Sequence, residues 1–235
     1  MTATMVVLIK CLAAILLGIF EGNGAVYIFN RIPAEWLCDY GEKPLEELLD
    51  RYSQRVKSTP WKYVFTMLFV VLNIKLVTED WRFGIAASIS LWILLETAIA
   101  DKKYKIIPDQ MVMLLAVSAM GFVTFHDGFK DCLLGGVCGF GIMFAVALIG
   151  KLASGRESLG GGDIKLFTAL GLICGFTGIL VVYALTALIA GGHMVILLAM
   201  KKVKKGDAVP MAPYIGIATG VYMVFLWGFE QFLYL

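Results

Sequence analysis

Charge is what this sequence has least of. Asp, Glu, Lys and Arg make up 16% of the 235 residues, while 60% are apolar and the mean hydropathy is +0.83. An ordinary soluble domain carries about 25% charged and about 45–50% apolar residues. The shortage argues against a disordered chain and against a soluble globule. Neither sign prevails, with 20 Lys+Arg against 18 Asp+Glu. There is thus no basic footprint for nucleic acid, and no nucleic-acid partner is expected. Metal-binding side chains are also few. The two histidines and five cysteines form no CxxC pair and no set with ligand spacing, so neither a metal site nor a disulfide framework is expected. Cys11, Cys38, Cys132, Cys138 and Cys174 read as small apolar filler. No positive charge precedes Lys10, and the apolar stretch around it outruns a signal-peptide core. It reads as a first membrane helix rather than a cleaved leader.

What the sequence has instead is long apolar runs. They predict an all-α, polytopic membrane protein with about eight spans near 5–29, 62–78, 84–100, 109–125, 132–150, 164–175, 178–200 and 212–232. The turn between the sixth and seventh is weakly marked, and one long helix there would give seven spans. Loop charge decides for eight, with both termini outside. Segments 30–62, 101–108, 151–165 and 201–208 then lie in the cytoplasm and hold 6, 3, 3 and 4 of the Lys and Arg residues. The whole of 1–235 reads as one integral-membrane domain whose only sizeable loop is 30–62. Within that loop, Leu45, Leu48, Leu49, Tyr52 and Val56 recur at helical spacing. They predict a short amphipathic helix on the cytoplasmic face, with a plain solvated connector as the alternative.

Two acids stand at predicted cytoplasmic helix ends. Asp101 follows the apolar run 91–100, and Asp163 follows Gly160, Gly161 and Gly162 at the start of the sixth span. Two carboxylates in one site do not both ionise readily, so the pair holds one proton. The ionised member takes a proton from water, and the protonated one donates to a substrate carbonyl. That chemistry needs no metal. The glycines allow a peptide backbone to approach closely. Pro108 suits a helix start, and Asp109 sits in the following first turn, a positioning place rather than a catalytic one. Lys165, two residues beyond Asp163, is placed to act on that aspartate or on phospholipid headgroups. Glu21 and Asn23 interrupt the first span and either line a groove or pack against another helix. Glu96 is expected to pair with a lysine, or else to tune the two aspartates. His193 is expected to hydrogen-bond between helices.

The string Gly160-Gly161-Gly162-Asp163-Ile164-Lys165-Leu166 resembles the GxGD signature of membrane aspartyl proteases, in the form found in type IV prepilin peptidases. Asp101 stands seven residues before Pro108-Asp109, which is similar to that family's D-x6-P-[DN] pattern. Val209-Pro210-Met211-Ala212-Pro213-Tyr214 resembles its Pro-Phe-Gly-Pro stretch, and Asn23 to Pro33 resembles the segment leading into its first cytoplasmic loop. The resemblance implies a GxGD protease fold in the inner (cytoplasmic) membrane, with Asp101 and Asp163 as the catalytic pair facing the cytoplasm. Gly160, Gly161, Gly162, Lys165, Pro108 and Asp109 would support them. It implies prepilin or pseudopilin substrates whose basic leader is removed, commonly after a glycine. Bifunctional members carry two CxxC pairs in the first loop and methylate the new N-terminus with S-adenosylmethionine. Here segment 30–62 has only Cys38, so the zinc-bearing subdomain is not expected and methylation is in doubt. Two other readings compete: a small proton- or cation-coupled transporter using the aspartates, and a scaffold without activity.

Overall fold

The computed structural model describes residues 3–38, 41–50, 53–154, 160–202 and 209–228. Residues 229–232 of the last predicted span, part of the basic segment 201–208, and Tyr52 lie outside them. The helices are α1 (Ala3–Phe29), α2 (Glu46–Leu49), α3 (Ser58–Glu79), α4 (Trp81–Tyr104), α5 (Asp109–Ser118), α6 (Phe129–Ser154), α7 (Gly161–Ala199) and α8 (Ala212–Val221). No strand occurs among the described residues. Five of them, α1, α3, α4, α6 and α7, are long and apolar enough to cross a membrane. Helix stands at every predicted apolar stretch, and side chains such as Phe20, Met120 and Leu152 point outward. Apolar surface on that scale suits lipid rather than water. The chain is an all-α, multi-pass membrane protein. It folds as two compact units, Met1–Glu96 and Thr97–Leu235.

In the first unit, α1 and α3 run antiparallel. Lys10 reaches the Thr78 carbonyl, Gly18 lies on Val70 and Gly22 on Thr66, so numbers rise on one helix as they fall on the other. A Cβ at Gly18 would come within 2.5 Å of the Val70 nitrogen. Burial of oil in oil drives nothing inside a bilayer, so such backbone contact is what holds membrane helices together. Asp80 starts α4 by accepting from the Arg82 and Phe83 N–H groups at 2.8 and 3.2 Å. Glu21 of α1 is buried. Ser88 donates to its carboxyl oxygens at 2.6 and 2.7 Å, and Asn73 donates at 2.7 Å. Of its two predicted roles, Glu21 takes the packing one, tying α1 to α3 and α4. Asn23 bonds back to the Ile19 carbonyl of its own helix.

Among the described residues of the amphipathic helix expected over Pro44–Val56, only Glu46–Leu49 is helical; Asp50 is extended, and Leu45 and Leu49 are exposed while Leu48 is buried. Arg55 supplies the physical reason. Its buried guanidinium donates to the carbonyls of Phe29, Ile32 and Leu48, which draws the segment onto the end of α1. Asn30 adds two bonds to Val56, donating to its carbonyl at 2.9 Å and accepting from its N–H at 2.8 Å. These backbone bonds outweigh a sequence pattern with few apolar residues to bury.

The second unit is built on α6 and α7. A straight helix of the 39 residues of α7 would be about 58 Å long, nearly twice the roughly 30 Å hydrocarbon layer. Gly175 breaks it with φ 70° and ψ −178°. Phe167 and Tyr183, eight residues either side, meet edge to face at 6.2 Å. On a continuous helix they would stand about 24 Å apart. α7 is therefore a hairpin of two antiparallel limbs. The reversal agrees with eight apolar stretches rather than seven. The outgoing limb packs on α6 through glycines: a Cβ on Gly171 would overlap the Gly135 carbonyl and sit 2.8 Å from the Gly136 nitrogen.

A clasp closes the reversal. His126 Nε2 lies 2.7 Å from the Ile173 carbonyl at the end of the outgoing limb, and its Nδ1 lies 3.0 Å from Asp131. Asp131 accepts from the Phe176 N–H that opens the returning limb. The Asp131 carboxylate at the start of the returning limb also suits that limb's helix dipole. Asp131→Ala is expected to cost about 1–2 kcal/mol, as loss of an N-cap does, and Asp131→Asn less, because the amide oxygen still caps. Thermal unfolding of the purified protein in detergent checks both.

Candidate active site

α4 contributes Asp101 from its last turn. The helix ends just beyond, where the Lys105 N–H bonds the Asp101 carbonyl at 2.8 Å and Lys105 takes φ 58°. Pro108 then caps α5, and Asp109 is its first residue, as predicted. Asp163 sits in the first turn of α7 behind its N-cap, Gly160. The two acids are 62 positions apart in sequence, yet close enough that the Asp101 charge acts directly on Asp163. They are 6% and 9% exposed, nearly enclosed but not sealed.

Their bonding differs. A carboxylate at the C-terminal end of α4 meets the negative end of that helix dipole. Asp101 is compensated from α8, whose first N–H groups have no partner within their own helix. The Ala212 N–H donates to Asp101 Oδ2 at 2.8 Å, and the Met211 N–H donates as well. Asp163 accepts from the Gly160 N–H, but its Oδ1 is buried without a hydrogen-bond partner. An unbonded buried oxygen is costly unless something fills the place. Together the pair offers one well-bonded carboxylate and one free carboxyl oxygen, the parts that water activation and proton donation need.

The glycines divide by role. A Cβ on Gly162 would come 2.9 Å from Ile107 Cβ, so this glycine is needed for packing. One on Gly160 would make only ordinary contact, and one on Gly161 would meet nothing within 4 Å. The space beside Asp163 is therefore open at those two positions. Lys165 does not turn to Asp163. It forms a two-pronged ion pair with Asp109, 2.8 and 2.9 Å from its two carboxyl oxygens, which joins the start of α5 to α7. Glu96 is a correction: it is fully buried and neither carboxyl oxygen has a hydrogen-bond partner, so the expected lysine pairing is not made. His193 does bond between helices, its Nδ1 lying 2.6 Å from the Tyr214 hydroxyl. Sequence reasoning assigned no role to Met211 and Ala212. They act through backbone N–H groups, which no side-chain pattern records. The resemblance of their segment to a family stretch was the one available signal. Among the described residues, no group of three or more His, Cys, Asp or Glu could hold a metal ion.

Residues 88–196, which include both aspartates, match the model of the Type IV leader peptidase family. Curated relatives named "Prepilin leader peptidase/N-methyltransferase" are similar over longer stretches. The one from Xanthomonas campestris pv. campestris is 30% identical over 191 residues, covering 77% of this chain and 65% of the relative. The one from Pseudomonas aeruginosa is 30% identical over 157 residues, covering 63% of this chain and 53% of the relative. A Bacillus subtilis relative is 27% identical over 154 residues, covering 63% of this chain and 59% of the relative. The matches thus span between about half and two thirds of the relatives' length. No solved structure matches.

Proposed function

We propose that the chain is a member of the type IV leader peptidase family, whose model matches residues 88–196, and that it is a membrane aspartic endopeptidase. It removes the basic leader from type IV prepilins or pseudopilins at the cytoplasmic face of the inner membrane. The observation that supports this reading is that Asp101 and Asp163 stand at two helix ends, near enough for the Asp101 charge to act on Asp163, whose buried Oδ1 has no hydrogen-bond partner.

The resting pair shares one proton. Two backbone N–H groups on Asp101 favour it as the carboxylate, because they need an acceptor. The unbonded oxygen favours Asp163 as the proton's carrier. Asp101 takes a proton from water, the water oxygen attacks the scissile carbonyl carbon, and Asp163 gives its proton to the carbonyl oxygen. Collapse returns that proton, the leaving nitrogen takes one from the pair, and the peptide bond breaks. The extended leader lies along the open side at Gly160 and Gly161, and the apolar helix of the substrate stays in lipid. Zinc does not fit segment 30–62, whose single Cys38 cannot supply the thiolates of two CxxC pairs. The proposed reaction runs without zinc or S-adenosylmethionine.

The test is to incubate purified protein with prepilin-like substrates and read product mass and N-terminal residue. Loss of the leader, with no added methyl mass, is the expected result. Intact substrate across a panel of prepilins, from correctly inserted protein, would overturn the proposal.

A further inference from the structure

The first turn of α8 does two things at once. Its Met211 and Ala212 N–H groups hold Asp101. One step on, Tyr214, whose own N–H bonds the Met211 carbonyl at 3.0 Å, reaches the returning limb of α7 through its hydroxyl. There it meets His193 Nδ1 at 2.6 Å, with the rings 5.5 Å apart. Little else steadies that part of the limb. Gly191 and Gly192 have open space where a Cβ would be, and Leu188, Val195 and Ile196 point outward. Either partner can donate in this bond, because a bare Nδ1 accepts from the hydroxyl and a protonated one donates to it.

We propose that Tyr214 and His193 are positioning residues for the peptidase reaction: their hydrogen bond fixes the start of α8, and through its Met211 and Ala212 N–H groups the placement of the Asp101 carboxylate. The inference rests on the proposed peptidase reading for its catalytic consequence, while the link to Asp101 is a property of the fold alone. A misplaced carboxylate leaves substrate binding intact and slows the chemical step, because orientation acts on the transition state.

The experiment compares wild type, Tyr214→Phe, His193→Leu, the double variant and His193→Asn, each purified in detergent. Asn is chosen because its amide reproduces the place of Nδ1. Two readouts are taken: kcat and KM on a prepilin substrate, and deuterium uptake at Met211 and Ala212. Each single variant is expected to lower kcat about five- to tenfold, the effect of one lost hydrogen bond, with KM unchanged. The double variant is expected to be no worse than either single one, because both break the same bond. His193→Asn restores kcat, and uptake at Met211 and Ala212 rises in the variants that lose it. Wild-type kcat and uptake in Tyr214→Phe would overturn the proposal, as would a loss that His193→Asn does not rescue. If wild type cleaves nothing but uptake still rises in Tyr214→Phe, the peptidase reading falls and the link to Asp101 stands. If uptake does not change, the link itself falls.

Discussion

Asp101→Asn and Asp163→Asn are each expected to lower the rate of leader cleavage by at least about 10³-fold, within the range for losing a general acid or base, without loss of the folded protein. An amide keeps the size and the acceptor oxygen of a carboxylate but cannot exchange the proton. At position 101 the amide oxygen still accepts from the Ala212 N–H, so the start of α8 keeps that bond. At position 163 the unbonded Oδ1 is replaced without breaking any bond it makes. The double variant is expected to be as slow as either single one, because the two groups act as a unit. The check is single-turnover cleavage, with size-exclusion behaviour to confirm folding. More than about a tenth of wild-type activity, against the 10²-fold or larger loss expected of an acid–base residue, would remove the residue concerned from the chemistry.

The second large effect is on folding. Gly171→Ala adds one methyl group, which overlaps the Gly135 carbonyl and sits 2.5 Å from its carbon. Backbone cannot swing aside as a side chain does, so the helices must part along the seam that carries Phe167 and Gly139. Overpacking typically costs about 1–3 kcal/mol, and rigid backbone on both sides puts this case at the upper end or beyond. Gly141→Ala and Gly191→Ala are the controls. Both add the same methyl into open space and are expected to be neutral or to stabilise by up to about 1 kcal/mol through helix propensity. Unfolding of the three variants in mixed micelles checks the contrast. Equal behaviour would mean that the α6–α7 seam is not a close backbone contact.

Much of this was legible in the sequence, because apolar runs and acidic motifs leave strong marks. Helix stands at all eight predicted stretches, and the two aspartates stand at helix ends, near enough for the Asp101 charge to act on Asp163. What was not legible depends on backbone groups and on partners far along the chain. The turn after residue 175 is only weakly marked in the sequence, and the positive φ of Gly175 is what makes it a full reversal. The spacing of Leu45, Leu48, Leu49 and Val56 imitates an amphipathic helix, but Arg55 binds three carbonyls that no pattern shows. Lys165 lies two residues from Asp163 in sequence, and turns instead to Asp109, 56 positions away. Glu96 reads as a lysine's partner, and no pattern shows that nothing bonds its two carboxyl oxygens.

The seat formed by Asn30 and Arg55 has a consequence for modularity. Asn30 grips Val56 at both its N–H and its carbonyl, so the excursion 31–55 leaves and re-enters the body of the first unit at one point. Arg55 holds the main-chain carbonyls of residues 29, 32 and 48, bonds that do not depend on which side chains stand there. A loop tied at its base transmits little to the helices it joins, and doubling its length costs only about 0.6 kcal/mol in closure entropy. The unit is thus built to accept cargo here. A folded insert placed after the exposed Gly41, ahead of the buried Leu48, is expected to leave the packing of α1 on α3 unchanged.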